Sequence, residues 1–320
     1  MGFVRFLVRR LLLGVFVMWI VTLAAFLLFF VAPPDVARTL AGKQGTPQQV
    51  AAIRVRLGLN QPIIIQYWHY LLRLLHGDLG TSFYTQQPVT SMLKADLPPT
   101  VSVMIGGAIL WLVVGITVGV ISATRARSLF DRFATTGVLV LYSMPAFLTG
   151  SLLLLVFYGE LSKAGIHAFA PGYFPISQGI GPWASHMILP WITVAAVSMA
   201  TYGRLTRGSL LDALGEDFVR TARAKGLSER RVIFRHAFRA AMTPIATQAG
   251  VDLGYLISNT IFTETVFGLQ GIGQTVAHAI VVGDLFFVLG VVLITALTVV
   301  LANIVVDIGY SVLDPRVRLS

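Results

Sequence analysis

Cysteine is absent and charge is scarce. Of 320 residues only 12% are Asp, Glu, Lys or Arg, roughly half the share of a soluble globular chain. Without cysteine there are no disulfides, no thiolate nucleophiles and no Cys-ligated metals. Without more charge a fold of this size cannot present a water-facing surface, which excludes a soluble enzyme. Acids are scarcer than bases, 14 against 24, for a net charge of +10. In a soluble chain that balance would point to nucleic acid; in a membrane chain it first sets topology, and no nucleic-acid partner is expected. The devices of nucleotide and metal chemistry are missing too. Neither Gly42-Lys43 nor any other lysine completes a GxxxxGK(S/T) loop, and HExxH and GxSxG do not occur. The histidines (His69, His76, His167, His186, His236, His278) have no metal-ligand spacing. Any energy from nucleotide must therefore come through a partner.

Apolar residues are abundant, at 56% with a mean hydropathy of +0.79. A crossing takes about 20 mostly apolar residues, and six stretches qualify. Residues 11–32, 98–124 and 133–159 carry no charge. Residues 187–203 are fewer but also uncharged, with Trp183, Trp191 and Tyr202 as interfacial anchors. Residues 241–266 contain Asp252 and Glu264, and 285–307 are charge-free as far as Asp307. The first stretch exceeds the about 7–15 residues of a signal-peptide core and lacks a small-x-small cleavage pattern before Pro33-Pro34, so it reads as a retained helix. The expectation is an all-α polytopic membrane protein with six transmembrane helices.

Basic residues orient it. Arg5, Arg9 and Arg10 lie in segment 1–10, and Arg125, Arg127 and Arg132 between the second and third spans. A dense group occupies 204–240, and Arg316 and Arg318 fall in 308–320. Only Lys163 lies between the third and fourth spans, and none between the fifth and sixth. Both termini are expected in the cytoplasm. The external segment 33–97 carries helix signals. Thr46-Pro47 caps a helix that stops at Gly58, and Pro62 opens a second one, 63–76, closed by Gly77. Ile65, Trp68, Leu72 and Leu75 share one face of it, so it either lies on the outer membrane surface or packs against the bundle.

Segment 204–240 is more than an orientation signal. Its bases (Arg204, Arg207, Arg220, Arg223, Lys225, Arg230, Arg231, Arg235, Arg239) are interspersed with Asp212, Glu216, Asp217 and Glu229. Residues 217–225 form a short helix with acid at its start and bases at its end, which suits the macrodipole. Gly226 stops it, and Ser228-Glu229 opens a second helix leading to Pro244. Orientation alone needs no caps.

An intramembrane acid costs at least about 2.5–3.5 kcal/mol and usually faces a pathway or a partner. For Asp252 two readings stand: a hydrogen bond to a polar group on a neighbouring helix, or a place on a water-filled passage beside Ser258 and Asn259. Glu264, Asp284 and Asp307 are the other acids near span ends, and Pro145, Pro190 and Pro244 mark kinks or gates.

Several runs resemble the permeases of ABC importers in the peptide/nickel branch. Arg204-Leu205-Thr206-Arg207, the run Phe218 to Ser228 and His236-Ala237 through Pro244 are similar to their cytoplasmic coupling segment. Arg9-Arg10-Leu11-Leu12, Leu57-Gly58-Leu59-Asn60-Gln61-Pro62 and Gly77-Asp78-Leu79-Gly80-Thr81-Ser82 resemble the first ("B"-type) permease of dipeptide/oligopeptide systems. Ser143-x-Pro145-x-Phe147, Leu189-Pro190, Glu264-Thr265-Val266-Phe267, Gly271-Ile272-Gly273 and Leu313-Asp314-Pro315-Arg316-Val317-Arg318 agree in order. Arg220-Thr221-Ala222 stands where the general importer motif begins Glu-Ala-Ala, and Pro33-Pro34-Asp35 where the branch often has Pro-Gly-Asp-Pro.

The resemblance implies a type I ABC importer permease fold in the bacterial cytoplasmic membrane. It implies a second homologous permease, two ATP-binding cassette subunits that bind ATP and Mg, and an external substrate-binding protein. On this resemblance the chain itself would hold no cofactor and would not be an enzyme. Glu216, Asp217, Arg220, Thr221, Ala222, Arg223, Lys225 and Gly226 would form the ATPase-coupling helix and corner. Asp252, Ser258 and Asn259 would line the path. Cargo would be di- or oligopeptides, with glutathione or nickel chelates as alternatives. A stand-alone ion-coupled transporter using Asp252 or Glu264 competes, but no inverted repeat is evident and a docking helix has no purpose there. An intramembrane enzyme lacks any nucleophile–base pair.

Overall fold

The computed structural model describes residues 2–32, 35–41, 45–165 and 169–313. Among them every regular element is helical, apart from an isolated antiparallel bridge between Thr81 and Pro88. Five stretches are long and apolar enough to cross a membrane: Val4–Val31, Val89–Thr124, Ala146–Lys163, Ile180–Gly215 and Leu285–Val305. Asn259–Phe267 and Ile272–Val282, joined by a sharp turn, make a sixth if taken as one span. The chain divides into two compact units, one of Met1–Leu97 with Gln274–Ser320, the other Pro98–Gly273.

In the first unit, α1 (Gly2–Phe26), which runs on into a π turn at Leu27–Val31, packs along α14 (Leu285–Leu313). Two short helices follow, α2 (Val36–Ala41) and α3 (Pro47–Arg56). Thr46 and Gln49 form a capping box at the start of α3, each side chain bonding the other's backbone N–H. α4 (Ile63–Leu75) is an amphipathic helix whose inward side is aromatic. Tyr67 and Tyr70 lie with ring centroids 5.3 and 5.6 Å from Phe26, and the Thr22 and Tyr67 hydroxyls share a 3.1 Å hydrogen bond. So α4 packs on α1 through its tyrosines, and the stripe Ile65, Trp68, Leu72 and Leu75 stays exposed.

In the second unit α5 (Val89–Thr124, from Pro98 onward) packs against α9 (Ile180–Gly215) at backbone distance. A Cβ on Gly115 would come within 2.8 Å of Tyr202 Cβ, and one on Gly119 within 2.7 Å of the Gly203 carbonyl. Two glycines four apart let membrane helices approach this closely, where dispersion rather than hydrophobicity drives association. Against α9 also lie α6 (Leu129–Ser143), α7 (Ala146–Leu153) and α12 (Phe238–Phe267).

Three expectations about continuity change. The stretch 133–159 is two helices, because Met144 adopts an extended conformation before Pro145 (φ −90°, ψ 126°) and α6 ends there. A π turn at Leu154–Glu160 and α8 (Leu161–Lys163) continue α7. Pro190 and Pro244, by contrast, sit inside unbroken helices. The stretch 187–203 and the first third of segment 204–240 are one 36-residue helix. On the far side, α11 (Glu229–Arg231) passes through a π turn at Val232–Ala237 into α12 without a break. The short helix, the Gly226 corner and the second helix leading to Pro244 stand as expected; what was not expected is that residues 204–215 belong to α9, so that only a short corner joins two long helices.

Candidate functional site

That corner is residues 216–228. Glu216 is extended (φ −71°, ψ 152°) and turns the chain from α9 into α10 (Asp217–Ala224). Eight residues are too few for a stable isolated helix; packing supplies what propensity does not. Val219 and Ala222 are buried in a cluster with Val120, Ala123, Leu210, Ala213, Val232, Ala237 and Ala241. Full burial of one valine is worth about 1.5–3 kcal/mol. The outer face is polar: Asp217 is exposed, as are Arg220, Thr221, Arg223 and Lys225.

Gly226 ends the helix at φ +76°, with its N–H donating to the Arg223 carbonyl at 2.9 Å and the Leu227 N–H to the Ala222 carbonyl at 3.4 Å. This pair of bonds is the Schellman pattern, which needs a left-handed residue at that position. Across the corner Arg223 donates to Glu229 from Nη2 (2.7 Å) and Nε (3.1 Å), which holds the Glu229 carboxyl below its usual range. Of the coupling residues expected from sequence, seven lie on the exposed face or at its ends, and Ala222 faces inward. Two exposed aromatic residues beside them went unpredicted: Phe218 (44% exposed) and Phe234 (55%). An exposed phenylalanine within a basic run was the available signal.

Behind the corner, about two and a half turns back along α9, lies a buried ion pair. Asp131 is 4% exposed and accepts from Arg207 Nε (2.7 Å), Arg207 Nη2 (2.9 Å), the Arg127 N–H (2.8 Å) and the Ser122 hydroxyl. Arg127 is held at φ +66° to aim its N–H this way, an uncommon conformation for a non-glycine residue. The Arg207 bonds, then those from Ser122 and Arg127, hold the Asp131 carboxyl well below the usual range. This knot ties the end of α5 and the start of α6 to α9. Arg207 stood among the resemblance residues, but Asp131 did not. Its signature was Ser128-x-x-Asp131, since Ser128 caps α6 on the Asp131 N–H.

For the expected path residues the outcome is mixed. Asp252 is half-buried and accepts from the Tyr202 hydroxyl on α9 (2.8 Å) and from Gln248 Nε2 (3.0 Å), the first of the two readings above. Asn259 is exposed two turns further on, and the Ser258 and Asp307 side chains lie outside the described residues.

Glu264 has a structural role. At 0% exposure its Oε2 accepts from the Gly273 N–H at 2.7 Å, while Thr100 Oγ1 accepts from the Ile272 N–H at 2.9 Å. These are the first residues of α13 (Ile272–Val282), where a carboxylate is favoured by the helix dipole. Gly268 (φ +62°) and Gln270 (φ +50°) make the turn into it. In the first unit Asp284 likewise accepts from the buried Ser82 hydroxyl, at the start of α14.

The comparisons agree with this architecture. The family model described as "Binding-protein-dependent transport system inner membrane component" matches residues 115–319, and that of its N-terminal companion matches 3–104. A probable peptide ABC transporter permease protein, y4tP, of Sinorhizobium fredii is 38% identical over 313 residues, covering 98% of this chain and 99% of the relative. The glutathione transport system permease protein GsiC of Salmonella typhimurium is 34% identical over 314 residues, again 98% and 99%, and GsiC of Escherichia coli matches equally. The chain belongs to the binding-protein-dependent transport system inner membrane component family, as a multi-pass ABC importer permease of the cytoplasmic membrane.

Proposed function

We propose that this permease carries peptide-type solutes inward by alternating access and that its corner 216–228 is where ATPase motion enters. In this reading both termini and the corner are cytoplasmic, and α10 sits in a groove of an ABC ATPase subunit. A second homologous permease completes the path, and an external binding protein delivers the solute. ATP and Mg are bound by the two ATPases.

The observation that carries the reading is the build of the corner. α10 is seated on its own unit by Val219 and Ala222 and presents Phe218, Arg220, Arg223 and Lys225 outward. It joins the 36-residue α9 to the helix entering the 30-residue α12. A push on a seated corner between two long helices is delivered along both. The Asp131–Arg207 knot passes it to α5 and α6, because a bidentate pair resists rotation as well as separation.

The peptide cargo is supported by the y4tP relative, and the GsiC relatives favour glutathione, itself a tripeptide, as a second candidate. The test is the reconstituted complex with its binding protein, asking which solute stimulates ATP hydrolysis. Gly226→Leu is expected to insert and assemble normally yet hydrolyse ATP without import. Full import by that variant would sink the corner's role.

A further inference from the structure

The first unit contains a basic cavity that the corner makes no use of. It has a volume of about 180 Å³ and opens between α3, α4 and the loop 78–83. Its lining includes Ile53, Leu57, Phe83 and Phe286 together with Arg56, Arg73 and Asp78. Its floor is prebuilt. Phe83 and Phe286 stack with centroids 5.5 Å apart. Gly80 (φ +88°) lets Phe286 lie under the loop, since a Cβ there would come within 2.6 Å of the ring. The Ser82 hydroxyl anchors the loop to Asp284, and Asp78 accepts from the Gly80 N–H at 2.8 Å.

The two arginines outnumber the one acid, Asp78, that lines the cavity with them. Arg54, on the same helix, is paired with Asp35 at 2.7 Å. Arg56 and Arg73 form no ion pair with any carboxylate among the described residues. Both lie in the last turn of their helices, where the dipole stabilises a cation. That alone explains two arginines, but not their convergence with stacked phenylalanines on one cavity.

We propose that this cavity is a subsite for a solute bearing a carboxylate next to an apolar side chain, the chemistry of a peptide's C-terminal residue. The proposal rests on the import reading above and names the part of the solute that this chain holds. Guanidinium groups match a carboxylate with paired N–H donors, and the Phe83–Phe286 floor takes the apolar side chain. Since a water molecule occupies about 30 Å³, the cavity admits one residue and leaves the rest of the solute outside, which suits cargo of varied sequence. Asp78 repels a second carboxylate, so an acidic terminal residue fits worst.

The test uses the complete complex in proteoliposomes with its unaltered binding protein. The probes are the tripeptide Ala-Ala-Phe and its C-terminal amide. R56Q/R73Q is expected to raise the KM for the free acid at least about tenfold, as loss of charge-assisted bonds does, and to leave the amide unchanged. An unchanged KM for the acid, or equal losses for acid and amide, would overturn the subsite. A second readout needs no transport: N-acetylphenylalanine, but not its amide, should protect Arg56 and Arg73 from phenylglyoxal in the resting complex. Import of the tripeptide without protection overturns the subsite alone. Protection without import of any peptide overturns the peptide reading and leaves the subsite standing.

Discussion

Two helix–corner–helix turns that pass through left-handed glycines, at Gly226 and at Gly268, are built oppositely. At Gly226 and at Gly268 alike a Cβ would meet nothing within 4 Å, so glycine is needed at both only for its backbone conformation; the difference lies in the residues beside them. At the second turn a Cβ on Gly271 would come within 2.5 Å of Glu264 Oε2, and one on Gly273 within 2.6 Å of Ile261 Cα. A buried carboxylate fills the inside of that turn. The first turn is held from one side and open on the other, as a surface for a partner must be; the second is closed on itself. Neither positive φ nor the room at the left-handed glycine therefore separates the two corners, whereas the packing of the residues beside it does.

The comparison breaks most sharply at the closed turn. Gly273→Val pushes side-chain atoms into the Ile261 backbone, which cannot yield as a flexible side chain would. The expected cost is about 3 kcal/mol or more, by analogy with overpacking, read as loss of assembled complex from the membrane. Glu264→Ala removes the acceptor and leaves the Gly273 N–H without it, at about 1–3 kcal/mol. Both should lower the melting temperature of the detergent-solubilised complex. A Gly273→Val complex that melts with the wild type would mean that the turn is not closed.

Next comes the knot behind the open corner. Asp131→Ala leaves the Arg207 guanidinium facing a gap, and breaking a buried pair costs about 3–5 kcal/mol. Arg207 is one-third exposed, so about 2–3 kcal/mol is expected after water screens it. Arg207→Lys keeps the charge and loses the fork. It should melt closer to the wild type and still lower import per ATP hydrolysed, if the knot transmits motion from the corner. A normal ratio in a stable Arg207→Lys complex would confine the knot to stability.

Much of this was legible in the sequence, and what was not has physical causes. Thr46-Pro47, Gly58, Pro62, Gly77 and Gly226 end or begin helices as their local chemistry dictates, because caps act within one turn. The exposed face of α10 was legible for the same reason. The continuity of α9 through Arg204 was not: charged residues suggested a loop, but a long helix loses nothing by running past the apolar zone. Nor does a local pattern say which of two prolines breaks a helix. Met144 before Pro145 turned extended, while α9 and α12 continue through Pro190 and Pro244. Partners far apart in sequence were beyond reach, among them Asp131 with Arg207, Ser82 with Asp284 and Tyr202 with Asp252. Glu264 read as a candidate for ion coupling because burial of a carboxylate is costly, and the Gly273 N–H that repays it only becomes visible in three dimensions.

The smallest effect belongs to the pair spanning the open corner. Arg223 and Glu229 are both exposed, and exposed pairs add little to stability even with good geometry. The sign of their pH dependence is nonetheless fixed. The Glu229 carboxyl is lowered by Arg223, so its contribution is present above the unfolded carboxylate value of about 4.3 and fades as pH falls through the lower folded value. Between pH 6 and 8 nothing should change. Glu229→Gln should therefore leave the melting temperature nearly unaltered at neutral pH. If the pair instead fixes the angle between α10 and the helix after Gly226, the same variant should reduce import per ATP while stability stays constant. Such a split would separate the shape of the open corner from its stability, which the closed turn does not permit, since there Glu264 serves both at once.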